Sequence, residues 1–280
     1  MKRTLAAATA AAVMVFAVPA VAADIPVKAA PPAVVAFSWT GWYFGGYVGG
    51  AWADKDARTT DPCFGLCAGG VGNYNGVAPI NYDLKSSFIG GITSGQNWQN
   101  GNWVVGYESE TGYIRLRGSR QFVNAAGAPV GGTSGDTSAN AKIGDWYSVY
   151  TLRFGYAWDR TLLFGKVGGA LTRVKTGVVD SCVTAVVCGP ATIDTTDSKY
   201  IFGLAAGGGI EYAIWNRWSI KAEYLFLGIK KDIVHHGVVG PAPGGVTDYS
   251  ITTVPNVHTV KFGINYRWDQ HPIFGWLSGR

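Results

Sequence analysis

Apolar and polar positions alternate with a period of two along most of this chain. In WTGWYFGGYVGGAWA, residues 39–53, the even positions carry Trp42, Phe44, Gly46, Val48, Gly50 and Trp52, and the odd positions carry Gly41, Tyr43, Gly45, Tyr47, Gly49 and Ala51. One face is bulky and apolar; the other is small or hydroxylated. A period of two predicts a strand. The pattern recurs near residues 86–98, 102–114, 145–158, 161–175, 200–214, 218–230 and 257–268, so eight strands are expected. On residues 218–226 Trp218, Ile220, Ala222, Tyr224 and Phe226 alternate with Ser219, Lys221, Glu223 and Leu225.

The connections alternate too. Residues 99–101, Asp159-Arg160 and residues 215–217 read as tight turns. Between the other neighbours lie long stretches, near 54–85, 115–144, 176–199 and 231–256, which read as loops. Short turns at one end and long loops at the other predict an all-β, eight-stranded antiparallel up-and-down transmembrane β-barrel, with tight periplasmic turns and four long extracellular loops. A soluble barrel would turn its apolar face inward and its charges outward. Two features argue for the inverse. The charged face is otherwise small, with Gly106, Gly112, Gly155, Gly168, Gly207, Gly209 and Gly263 among its members. The bulky face places Trp42, Trp52, Trp98, Trp103, Tyr113, Trp146, Trp158, Trp218 and Trp268 near strand ends, as expected of aromatic girdles at two membrane interfaces.

Composition agrees with a β protein. Of 280 residues, 13% are aromatic and only 15% charged, and the 40 glycines follow no collagen-like period. Residues 1–23 begin with Lys2 and Arg3, continue as an apolar run and reach Ala20-Val21-Ala22, the pattern of a cleaved secretory signal. Its removal takes the formal charge from +5 to +3, too little to indicate nucleic acid. Residues 24–38 read as a Pro/Ala-rich periplasmic tether, residues 39–268 as the barrel and residues 269–280 as a periplasmic extension. Cys63 and Cys67 share one long stretch, Cys182 and Cys188 another. In an exported chain each close pair is expected to form a disulfide.

The register sends Glu108, Glu110, Arg153, Lys166, Glu211, Lys221, Glu223, Lys261 and Arg267 into the lumen, four acids against five bases. Eight strands enclose room mainly for side chains, so these groups are expected to form a salt-bridge network. The inward glycines point the other way, leaving space for a narrow ion path. Asp232, His235 and His236 sit in the last long stretch with no nucleophile or third ligand at a motif spacing. No catalytic residue, metal or cofactor is expected.

The runs FIGGITSGQNWQNGNWVVGYESE, LRFGYAWDRTLLFGKVGGA, GGGIEYAIWNRWSIKAEYLFL and HTVKFGINYRW, with the WTGWYFGG start, resemble the small OmpA-like outer-membrane β-barrel proteins of Gram-negative bacteria, often called the porin family. The resemblance implies outer-membrane localisation, contacts with lipid, lipopolysaccharide and the outer-membrane assembly machinery, a role in envelope integrity, and loops open to external partners. Chains of that family usually stop at the aromatic residue ending the last strand. Here Trp268 is followed by DQHPIFGWLSGR, whose Ile273, Phe274, Trp276 and Leu277 are expected on the periplasmic membrane surface. The expected function is a structural, surface-exposed barrel. A narrow porin is the alternative, and an outer-membrane enzyme with a site on the loop rim is a third reading.

Overall fold

The computed structural model describes residues 37–60, 79–121, 138–181, 192–239 and 246–268. The expected signal, most of the tether, the extension after Trp268 and all four cysteines lie outside these residues. The described residues form twelve strands: β1 (Gly41–Ala53), β2 (Ala57–Thr60), β3 (Ile80–Tyr82), β4 (Ser87–Asn100), β5 (Trp103–Gln121), β6 (Ser138–Trp158), β7 (Thr161–Ser181), β8 (Thr192–Ala213), β9 (Trp218–Gly228), β10 (Lys231–Val239), β11 (Val246–Val254) and β12 (Val257–Trp268). Eight of them close a barrel in the order β1-β12-β9-β8-β7-β6-β5-β4. Every neighbouring pair is antiparallel, and the seam runs from Trp42 opposite Trp268 to Ala53 opposite Val257. Closure leaves no unpaired edge, a condition for a sheet that meets hydrocarbon.

Facing follows the alternation. Phe44, Val48, Ile92, Leu152, Phe154, Leu163, Ile220 and Phe262 are exposed on the outer wall, while Glu108, Arg153 and Lys261 are each 1% exposed inside. The girdle residues fall in two rings. At the turn end Trp103 meets Tyr156 edge-on at 5.3 Å, Trp218 meets Tyr266 at 4.9 Å and Tyr266 meets Trp268 at 4.8 Å. Trp42 and Trp98 both contact Tyr107 there, and Trp158 contacts Tyr156. At the loop end Trp52 stacks on His258 and Trp146 packs against Tyr200, with Tyr113 exposed at a similar height on β5.

The long stretches are not simple loops, which corrects the sequence reading. Strands β5, β6, β7 and β8 run for 19, 21, 21 and 22 residues, whereas about 9–11 suffice to cross a bilayer. On the other half of the circumference, β10, β11, β2 and β3 form a four-stranded sheet in that order. Each of these continues a barrel strand after a short break: β1 into β2, β3 into β4, β9 into β10, and β11 into β12. The sheet is tied to the long strands at both sides. Lys85 N–H donates to the Arg117 carbonyl at 3.1 Å and Arg120 Nη1 to the Asn81 carbonyl at 3.0 Å, while His235 Nδ1 lies 2.7 Å from Asp197 Oδ2. The wall therefore continues past the loop-end girdle.

Beyond that girdle the polarity of the wall reverses. Along the outer face of β5 the order is Trp103, Val105, Tyr107, Ser109, Thr111 and Tyr113, then Arg115 and Arg117. Inside, Ala57, Tyr82, Leu84, Leu116, Ala141, Val174, Ile201, Ile233 and Val254 join one apolar core. An alternating strand buries its apolar face inward only where water lies outside, so the reversal marks where the surroundings change from lipid to water. Burial in this upper core pushes the Tyr82 hydroxyl up to about 12, and its oxygen lies 3.1 Å from Thr59 Oγ1.

Two local devices shape the upper wall. Gly144 and Asp145 both adopt positive φ, +107° and +86°, and the β6–β7 register shifts between Ile143 and Tyr147. A side chain at Gly144 would lie 1.9 Å from the Ile114 carbonyl oxygen, so this bulge requires glycine. Asn256, in the break between β11 and β12, receives two bonds' worth of contact from Asp54: its N–H donates to Asp54 Oδ1 and its Nδ2 to Asp54 Oδ2, both at 3.0 Å. Its Oδ1 accepts from the Lys230 N–H at 3.0 Å. One side chain thus bridges three of the four strand breaks' neighbours, at Asp54, Asn256 and Lys230.

Candidate functional site

The lumen carries the chemistry. Glu108 and Glu110 come from β5, Arg153 from β6, Lys166 from β7, Glu211 from β8, Lys221 and Glu223 from β9, and Lys261 from β12. Each sits at an inward position of its strand and all eight are buried. The cross-strand register makes neighbours of Arg153 and Lys166, of Glu211 and Lys221, and of Glu223 and Lys261.

These side chains meet in one connected layer. Lys166 Nζ lies 2.7 Å from Glu108 Oε1 and 2.8 Å from Glu223 Oε1, and it also contacts Glu110. Lys221 Nζ lies 2.9 Å from Glu108 Oε2 and 3.3 Å from Glu223 Oε2. Lys261 Nζ lies 2.8 Å from Glu223 Oε1 and contacts Glu110. Arg153 pairs with Glu211 and reaches Glu108 Oε2 at 3.8 Å. Oxygens of Glu108, Glu110 and Glu223 come within 4.8 Å of one another, the density of carboxylates that could hold a metal ion. Three ammonium groups already lie against those oxygens, so the lysines supply the balancing positive charge.

Arg267 does not join the layer, contrary to the expectation from its alternation. It lies at the turn end, where its Nη2 donates to the Asn216 carbonyl at 2.8 Å and its guanidinium covers the Phe37 ring at 4.3 Å and the Trp39 ring at 5.5 Å. With Arg267 elsewhere the layer holds four acids and four bases, a neutral set. An unpaired charge inside a closed barrel would be expensive, so this balance is what the site requires.

Several contributors escaped the sequence reading. Tyr43 OH donates to Glu108 Oε2 at 2.8 Å, Asn265 Nδ2 donates to Glu211 Oε1 at 2.9 Å, and the Ser219 hydroxyl donates to the same oxygen. Tyr147 OH donates to Tyr47 OH at 2.7 Å above the layer. Arg153 also stacks 3.8 Å from the Phe164 centroid, and Lys261 Nζ lies 5.1 Å from that of Tyr47. Some inward glycines make room for these aromatics. A side chain at Gly95 would come within 2.4 Å of Tyr43 Oη, and one at Gly112 within 2.5 Å of Tyr47 Oη. At Gly95 and Gly112 the space beside the glycine is occupied by a tyrosine hydroxyl. Inward tyrosines opposite inward glycines were a readable signal.

The layer is capped on both sides. Toward the turn end, Trp39, Val104, Ala157, Leu162, Phe164 and Ala213 form an apolar cluster with Phe37 packed against it. Trp39 is 1% exposed and its backbone N–H donates to Gln99 Oε1 at 2.6 Å. Phe37 and Trp39 precede β1, so the folded body begins before the expected end of the tether. Toward the loop end lies the larger apolar core that includes Tyr47, Ile89, Ile114, Tyr147, Val149, Leu225 and Leu227.

A closed barrel with an apolar exterior and a charged interior is the arrangement of an outer-membrane protein, and the comparison with known families decides it. Residues 8–267 match the family described as outer membrane protein beta-barrel domain. This chain belongs to that family. It is accordingly an outer-membrane β-barrel of a Gram-negative bacterium, with short turns in the periplasm and long strand-loop extensions outside. Among its relatives, the 31 kDa outer-membrane immunogenic protein of Brucella melitensis is 30% identical over 287 residues, covering 96% of this chain and all of that protein. The 22 kDa outer membrane protein of Rhizobium leguminosarum bv. viciae is 30% identical over 164 residues, 58% of this chain and 62% of that protein. Among solved structures, Ail, the attachment invasion locus protein of Yersinia pestis, aligns over 82% of this chain and 99% of its own at 14% identity and a TM-score of 0.35.

Proposed function

We propose that this outer-membrane barrel is a structural, surface-exposed component of the envelope whose lumen is filled rather than open. The observation that carries this reading is the layered interior: a neutral layer, each of whose charged groups lies against an opposite charge, held between an apolar cap at the periplasmic end and an apolar core at the extracellular end. A conducting pore needs a continuous polar path, and an eight-stranded wall leaves room mainly for side chains. The tall extracellular wall is the part offered to the outside, consistent with a relative whose name describes an immunogenic protein. In this reading the partners are outer-membrane lipid and lipopolysaccharide, the assembly machinery, and whatever external molecules meet the loops.

Conductance tests the reading. Purified protein in planar bilayers is expected to give only small or rare openings, and Lys261→Glu or Glu108→Lys, which unbalance the layer, are expected to raise their frequency. A stable, large conductance indifferent to both reversals would overturn the filled lumen and favour the narrow porin.

A further inference from the structure

We propose that a row of cations on the outer wall, Lys85, Arg117, Lys142 and Lys175, binds the acidic headgroup of an outer-leaflet glycolipid of the lipid A type. The inference rests on the membrane orientation used above, though not on whether the lumen conducts.

The row follows from register. Lys85 is bridged to Arg117, Arg117 is the cross-strand partner of Lys142, and Lys142 is the partner of Lys175. Four cations therefore stand side by side, outward, across four adjacent segments of chain, with Ser198 next in line on β8. Directly opposite residues have Cβ atoms about 4.5–5.5 Å apart, and like charges at that spacing are destabilising. One carboxylate relieves part of the row: Asp145 contacts Lys142 and lies 2.9 Å from Arg115 just below it. Among the described residues no carboxylate forms a salt bridge with Lys85, Arg117 or Lys175. A sheet that sets like charges opposite one another and answers only one of them is arranged to receive anions.

Height identifies the anion. Arg117 lies four residues from Tyr113 on the extracellular side, and Lys142 is its cross-strand partner. Four residues rise about 13 Å along a strand, or roughly 10 Å along the membrane normal at barrel tilt. The girdle marks the edge of the hydrocarbon, so Arg117 stands at headgroup depth, and the row, lying perpendicular to tilted strands, crosses the headgroup layer obliquely. In the outer leaflet of a Gram-negative outer membrane that depth holds the acidic sugars of the glycolipid. Arg117 offers a planar fork suited to phosphate or carboxylate, the lysines offer point charges, and Arg173, which donates to Ser198 Oγ at 2.6 Å, lies immediately beneath.

The test uses full-length protein refolded in zwitterionic micelles and titrated with bis-phosphorylated lipid A, the same lipid without its phosphates, and phosphatidylglycerol. Arg117→Gln/Lys175→Gln removes two cations and leaves the Lys142–Asp145 pair intact; Lys231→Gln, an exposed cation on β10, is the control. The double variant is expected to bind bis-phosphorylated lipid A at least about tenfold more weakly, the loss of one or more charge-assisted contacts. The control is expected to bind like the parent, and the dephosphorylated lipid to bind parent and double variant alike. Without lipid the double variant should be as stable as the parent or more so, which separates lost binding from lost folding. Unchanged lipid A affinity in the double variant would overturn the proposal. So would tighter binding of phosphatidylglycerol than of lipid A, or a double variant less stable in lipid-free micelles. Each result is independent of the conductance measurement.

Discussion

Lys261 shows how much one residue can carry in a closed interior. Its ammonium is shared between Glu110 and Glu223, from strands on either side of the lumen, and it stands under the Tyr47 ring. Replacing it with methionine keeps much of the bulk but leaves the layer with four acids and three bases. Breaking a buried pair from one side costs about 3–5 kcal/mol. Lys261→Met is therefore expected to lower stability by that amount in urea unfolding from lipid vesicles. Adding Glu110→Gln restores neutrality and should recover part of the loss, with a coupling of about 1–3 kcal/mol. A strictly additive double variant would mean that Glu110 and Lys261 do not interact.

The elements of the membrane band were legible in the sequence, and those of the extracellular wall were not. All eight barrel strands fall where the alternation placed them, because a lipid-facing strand must keep one face apolar without interruption. Beyond Tyr113 or Trp146 the bulky and polar faces exchange sides, as where Leu116 turns inward and Arg117 outward, and a rule that follows one apolar face reads this as a loop. The charge layer was legible for eight residues because parity alone sends them inward. Arg267 has the right parity but lies at the rim, and parity says nothing of height. Strands β2, β3, β10 and β11 are held by contacts that no local pattern announces, chief among them the Asn256 side chain. Asn256→Ala removes bonds to Asp54 and Lys230 and is expected to cost about 1–3 kcal/mol locally. Hydrogen exchange should rise in β2, β10 and β11 while the membrane band stays protected; uniform exchange in all strands would show that the clamp is not local.

At the scale of the whole molecule the barrel is a tall cylinder with two kinds of wall. The outer face of its lower part answers to hydrocarbon and that of its upper part to water, so the cost of a charge depends on height. Phe154→Arg, at an exposed position of the lipid band, is expected to cost about 2–4 kcal/mol if it lies near the midplane, and Ser119→Arg, outward on the upper wall, about 0–0.5 kcal/mol. Equal costs in bilayer refolding would show that the change of surroundings is misplaced. The neutral layer bears on the same cylinder in time. Lys261 lies on β12, the last of the described strands in chain order, and its partners lie on β5 and β9. Until β12 docks, the interior holds four carboxylates against three cations, and docking it closes the seam with β1 and settles that debt at once. A half-closed barrel is thus penalised electrostatically as well as by its open edges, which makes the final strand a checkpoint on assembly.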